Sequence, residues 1–171
     1  MKKLLLFVSV VFFAVFAVIV ISEQTEVEKL KKISPTISQT LPVIVVSAED
    51  SVFEIELYEN ETAKALLKRL PLTLVMNRWG EGGYGGTLAH DITSDFDKSI
   101  RRRAFFKGEV VFRSKKNTLF FFFGSTPIGL TTDTPMLLGR GGIPVGRLKN
   151  HSDLEQLSGV VEFSFGIKKT F

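Results

Sequence analysis

Between Leu4 and Ile21 the chain places eighteen consecutive residues with one polar side chain, Ser9, directly behind Lys2 and Lys3. Val, Phe and Leu point in every direction around such a helix, so it has no polar stripe for water and is set apart from whatever folds after it. At 1.5 Å per residue the run rises ~27 Å, close to the ~30 Å hydrocarbon core of a bilayer. It is longer than the roughly 7–15 residues of a signal core and lacks an Ala-x-Ala cleavage site, with Val20-Ile21-Ser22 the nearest substitute. Residues 1–22 are therefore expected to form a single-pass membrane anchor, with a cleaved secretory signal as the alternative. Lys2 and Lys3 are expected to keep the short N-terminus in the cytoplasm, which would leave the remaining chain outside it.

Residues 23–41 change to Glu, Lys, Gln, Ser and Thr and read as a polar linker, where Pro35 within it and Pro42 just after it end any helical stalk. Residues 42–171 suffice for one domain and not for two. Cysteine is absent, which excludes disulfides, a thiol nucleophile, cysteine-ligated metals and a lipid-acceptor cysteine. The formal charge of +4 includes Lys2 and Lys3. What remains is too weak a bias to argue for nucleic acid.

The domain opens with strand signals. Val43 to Val46 is a β-branched run, Ala48 to Ser51 supplies a turn, and Phe53, Ile55 and Leu57 alternate with Glu54 and Glu56. Asn60 is placed to cap a helix whose Ala63, Leu66, Leu67 and Leu70 share one face, and Pro71 ends it. Leu72, Leu74 and Met76 alternate as a strand that runs into Gly80-Glu81-Gly82-Gly83-Tyr84-Gly85-Gly86, read as a mobile loop. Glu109 to Arg113 and Leu119 to Phe123 form a hairpin around a polar turn. Phe120 to Phe123 cannot alternate, so that strand must be covered on both sides and is expected to be central. Ser152 and Glu155 suggest a capping box ahead of Leu154 and Leu157, and Val161, Phe163, Phe165 and Ile167 alternate in a last strand. Many short strands with two small helices predict a mainly β domain, a closed barrel of about eight strands.

The order and spacing of four strings resemble the cyclophilin-like fold family between Val43 and Ile167: TAKALLKRLPLTLVMNRWG (62–80), KGEVVF (107–112), NTLFFFFGSTPIG (117–129) and PVGRLKNHSDLEQLSG (144–159). The resemblance implies a compact cyclophilin-like barrel with helices at its ends. Cyclophilins that isomerise prolyl bonds use an arginine beside a proline pocket, within a Phe-His-Arg type of motif. None of Arg78, Arg113, Arg140 and Arg147 stands in that context, so no catalytic residue is carried over. Arg147 is expected to pair with a carboxylate or a strand-end carbonyl.

No cofactor motif is present. The glycine-rich stretch lacks the Gly-Lys-Ser/Thr ending of a phosphate loop, and two histidines, in His90-Asp91 and His151-x-Asp153, do not make a metal site. Arg101-Arg102-Arg103, beside Asp95 and Asp97, reads as a solvated loop. The candidate ligand-binding residues are Arg78, Trp79, Tyr84 and Phe123, at the junction of a stiff strand with the glycines, where a guanidinium and aromatic rings can hold a partner. The structural alternative is that Trp79 plugs the barrel end while the Arg78 stem packs along it. Function is expected to be binding of a peptide or small ligand, with prolyl isomerisation as the alternative.

Overall fold

The computed structural model describes residues 25, 28–32, 34–124 and 141–169. The apolar run 4–21 lies outside the described residues, and among those residues no helix is long and apolar enough to cross a membrane. Residues 35–171 form one compact unit.

Among the described residues this unit has eight antiparallel strands: β1 (Ile44–Ala48), β2 (Ser51–Leu57), β3 (Leu72–Trp79), β4 (Gly83–Thr87), β5 (Glu109–Arg113), β6 (Thr118–Phe122), β7 (Ile143–Leu148) and β8 (Val160–Ile167). They close in the order β1-β2-β7-β5-β6-β4-β3-β8, with Ile44 opposite Ile167 where β8 returns to β1. Closure removes every sheet edge, which is how an antiparallel sheet with a fully apolar inner face avoids pairing with other chains. The β1–β2 hairpin turns at Glu49 and Asp50, with Glu49 at φ 52°, the left-handed geometry that tight hairpins demand. Asn117, at φ 48°, plays the same part before β6, after a 3-10 turn over Ser114–Lys116.

Alternation decides which side chains fill the barrel. Phe53, Ile55, Met76, Phe112, Phe121, Phe163 and Phe165 all point inward into one buried cluster. Each wholly buried ring contributes on the order of 1.5–3 kcal/mol relative to exposure. Along β6, Leu119, Phe121 and Phe123 join this interior, while Phe120 and Phe122 belong to a second cluster on the outer face with Phe105, Val111 and Trp79. The strand is central, between β4 and β5, and covered on both sides as four consecutive phenylalanines require.

Helix α1 (Glu61–Leu67) buries Thr62, Ala63 and Leu66. Its start is over-determined: the Asn60 side chain accepts from the Ala63 N–H at 2.8 Å and donates to the Pro144 carbonyl at 2.9 Å. The carboxylate of Asp97, from a 3-10 turn over Asp95–Ile100, accepts from both the N–H and the hydroxyl of Thr62 at 2.5 Å. Leu70 falls beyond the helix, which ends a turn earlier than the sequence spacing predicts. Residues 36–38, placed in the linker from sequence, belong to the domain: Ile37 bridges Tyr58, and Ser38 N–H donates to the Leu57 carbonyl at 2.8 Å. A 3-10 turn over Ser152–Glu155 replaces the expected capping box, and Asn150 Oδ1 accepts from the Ser152 N–H and hydroxyl instead.

Candidate functional site

The glycine-rich stretch is not a flap. Gly83–Thr87 is strand β4, paired with β3 on one side and β6 on the other. Only Gly80, Glu81 and Gly82 turn, and that turn is held by Phe123 and Gly124 N–H groups donating to the Gly82 carbonyl at 3.0 and 3.2 Å. The glycines are there for space. A β-carbon on Gly83 would stand 2.1 Å from the Phe121 carbonyl oxygen, one on Gly86 2.6 Å from Met76 Cγ, and one on Gly85 2.9 Å from the Phe120 ring. Two of these neighbours are large side chains that cross the strand where its own side chains are missing.

Across Gly85 lies an aromatic layer on the outside of the barrel. Phe105 stacks on Phe122 with ring centroids 5.4 Å apart, and Phe122 on Phe120 at 5.9 Å with the planes 5° from parallel. Trp79 tilts against Phe120 at 5.6 Å and against Phe122 at 6.3 Å. A groove of about 320 Å³ opens over this layer, lined by Asn77, Trp79, Gly85, Thr118 and Phe120, with Arg78, Arg113 and Lys116 at its edges.

The four residues singled out from sequence do not share one surface. β3 is pleated, so Arg78 and Trp79 leave it on opposite sides. Arg78 sits over the Phe123 ring at 5.1 Å and opposite Tyr84 in the β3–β4 register. Its guanidinium donates to the carbonyls of Gly80 at 3.1 Å, Glu155 at 3.0 Å and Leu157, with Glu81 3.8 Å away. Arg78 therefore ties the 3-10 turn onto the barrel end. Tyr84 and Phe123 are core residues, their rings 5.9 Å apart and Tyr84 5.4 Å from Phe163. Burial pushes the Tyr84 hydroxyl above the ordinary phenol range, against the opposing pull of the Arg78 guanidinium. Of the four, Trp79 and Arg78 line the outer groove, Trp79 half-buried on its phenylalanine neighbours, and Tyr84 and Phe123 do not.

A buried ion pair behind the aromatic layer escaped the sequence. Glu109 and Arg102 are both buried, and Arg102 Nη2 donates to the two carboxylate oxygens at 2.5 and 2.6 Å. Tyr58 hydroxyl and Phe106 N–H complete the carboxylate's shell at 2.9 and 2.8 Å. The Arg102 guanidinium packs over Phe105 and Phe106, at 5.5 and 5.8 Å from the ring centres. Desolvation, with the Glu109 charge as second cause, raises the Tyr58 hydroxyl far above the ordinary phenol value of 10.0. The three-arginine run is thus not a solvated loop at its centre, and Asp97 beside it serves α1. The available signal was Glu109 itself, a carboxylate opening an apolar strand. Arg147, by contrast, is exposed and forms no ion pair among the described residues, and Arg140 lies outside them. Among the described residues no group of three metal-ligating side chains comes together.

The solution structure of hypothetical protein AF2241 from Archaeoglobus fulgidus is similar to this chain, with a TM-score of 0.59 at 22% identity, covering 74% of this chain and 95% of that one. At this identity the likeness concerns the fold alone. No curated protein matches the chain. A family model described as Cyclophilin-like family matches residues 46–166, from within β1 to within β8, so the closed barrel and the sequence that builds it place the chain in the Cyclophilin-like family.

Proposed function

We propose that this protein is a membrane-tethered, extracytoplasmic binding module that holds a peptide or small ligand on the outer face of its barrel, in the groove over Phe120 and Trp79. The observation that carries the reading is the glycine at position 85. A β-carbon there would meet the Phe120 ring at 2.9 Å, so the glycine keeps a flat aromatic floor under a concave opening. Apolar floors with a few polar groups at the rim are the usual form of a ligand site. Arg78, over the Phe123 ring and bonded to the carbonyls of Gly80, Glu155 and Leu157, holds the β3 end, so that Trp79 is presented from a rigid strand. The apolar run 4–21 supports the tether.

The chain has one tryptophan, so its emission reports on the groove itself. Full-length protein in neutral lipid nanodiscs, titrated with short acetylated peptides that carry one phenylalanine, is expected to show a saturable change in Trp79 emission. Loss of that response in Phe120→Ala with the fold retained locates the site. A Trp79 signal indifferent to every peptide refutes this reading.

Arg113 favours a second reading. It lines the same groove as Phe120, and an arginine beside an apolar pocket is what isomerases resembling this fold use to favour the twisted amide. A protease-coupled assay with a proline peptide separates the two. Background rates are expected, and acceleration that disappears in Arg113→Ala would establish the isomerase.

A further inference from the structure

We propose that a second site, a crevice in the barrel wall beside the first half of β3, takes a short aliphatic carboxylate, its tail on Leu72, Leu74, Leu88 and Ile92 and its charge between Arg69 and His90. The crevice measures about 220 Å³ and shares no lining residue with the groove over Phe120. Its origin is a mismatch in strand length. β3 begins at Leu72, but its register with β4 reaches only from Met76, opposite Gly86, to Trp79. Beyond Thr87 the chain is drawn off elsewhere: Leu88 N–H donates to the Asn117 carbonyl at 2.7 Å, and Ser94 N–H to the Thr62 hydroxyl at 3.2 Å. The segment 88–92 therefore lies along the flank of β3 without pairing to it among the described residues.

Three observations define the occupant. The floor is apolar: Leu74, Leu88 and Ile92 belong to the buried core, and Leu72 packs against it. The rim is basic. Arg69 and His90 are exposed, no lining residue is acidic, and Arg69 forms no ion pair among the described residues. Arg69 is positioned by its own main chain, whose N–H donates to the Leu66 carbonyl at 3.0 Å just past α1. Asp91, beside His90, turns Oδ1 to the Thr93 N–H at 2.7 Å. The third observation is a main-chain donor. Arg78 N–H donates to the Gly159 carbonyl, next to β8, at 3.0 Å, and main-chain groups alternate in direction along a strand. Thr73, an odd number of residues earlier, thus directs its N–H to the crevice side, where β4 has no residue opposite it. A carboxylate accepts from a guanidinium, an imidazole and a main-chain N–H alike. The volume, below the roughly 300–1,000 Å³ of drug-sized sites, keeps the tail short.

The test follows the two histidine rings by NMR in the full chain, in neutral lipid nanodiscs at fixed pH, with His151 as the internal control. Hexanoate is compared with hexanol, which has the tail without the charge, and with acetate, which has the charge without the tail. Hexanoate is expected to shift the His90 signals saturably, to leave those of His151 in place, and to bind about tenfold more tightly than hexanol, the scale of a charge-assisted hydrogen bond. Acetate should bind at least about tenfold more weakly than hexanoate, because it buries almost no apolar surface. Arg69→Gln should bring hexanoate down to the level of hexanol. Ala89→Phe, at an exposed lining position, should abolish the His90 response with the circular dichroism unchanged. Equal binding of hexanoate and hexanol overturns the carboxylate seat, and equal binding of acetate and hexanoate overturns the apolar floor. His90 signals indifferent to hexanoate refute the site altogether, whatever Trp79 reports of the groove.

Discussion

The ring of Phe120 lies across Gly85 so closely that a β-carbon on the glycine would sit 2.9 Å from it. This one relationship joins the glycine-rich stretch to the aromatic layer and explains why a strand with so few side chains is kept in the barrel wall. At Gly83 the crowding is with backbone, the Phe121 carbonyl oxygen at 2.1 Å, and backbone cannot swing aside as a ring can.

The two glycines should therefore respond differently to alanine. Gly85→Ala is expected to cost about 1–3 kcal/mol by overpacking and to shift Trp79 emission as Phe120 moves. Gly83→Ala should cost more and is expected to prevent β4 from pairing with β6. Urea denaturation followed by circular dichroism ranks them, and equal, small losses would contradict the crowding described.

Breaking the buried pair from one side strands a charge. Glu109→Gln leaves the Arg102 guanidinium buried beside a neutral amide and should destabilise the domain by about 3–5 kcal/mol. Adding Arg102→Met removes the unpaired charge, so the double variant is expected to recover part of that loss. A double-mutant cycle measures the coupling, and strictly additive losses would mean that the two groups do not act as a pair.

Tyr58 provides a test at alkaline pH. Its folded-state pKa is raised, so the folded protein keeps the phenol proton where the unfolded chain gives it up. That contribution is fully present below the ordinary phenol value of 10.0 and is lost as pH rises above it. Tyr58→Phe should cost about 1–3 kcal/mol at neutral pH, because Glu109 loses a buried donor. The same variant should flatten the fall in stability above pH 10, leaving a residual slope from Tyr84, which is shifted in the same direction. Urea midpoints across pH 8 to 11 for both proteins decide the matter, and parallel curves would exclude Tyr58 as the titrating group.

The apolar run 4–21 is expected to hold the full chain in the membrane fraction through a carbonate wash, since burying that many apolar side chains outweighs surface electrostatics. Recovery of a soluble chain beginning near Ser22 or Glu23 would show a cleaved signal instead.

By itself the sequence determined the features that depend on near neighbours. Alternation at Phe53, Ile55 and Leu57, and again at Val161, Phe163 and Phe165, sets which face is buried, because successive side chains in a strand must point to opposite sides, whereas Ile167 at the strand end is exposed. Asn60 caps α1 because its side chain reaches the N–H of Ala63 three residues on. Four phenylalanines in a row required a strand with two covered faces. Only the tertiary structure decided the rest. β4 was hidden because a strand is read from its side chains, and here the pattern that matters belongs to Phe120 and Met76 on the strands beside it. Glu109 and Arg102 look like ordinary charges along the chain, and they become a buried pair only when Tyr58, from the far side of the sequence, and the Phe105-Phe106 segment close over them. The groove likewise belongs to no single string. β3, β4 and the β5–β6 hairpin each supply part of it, and barrel closure, which depends on contacts distant in sequence, brings Trp79, Phe120, Arg113 and Lys116 to one opening.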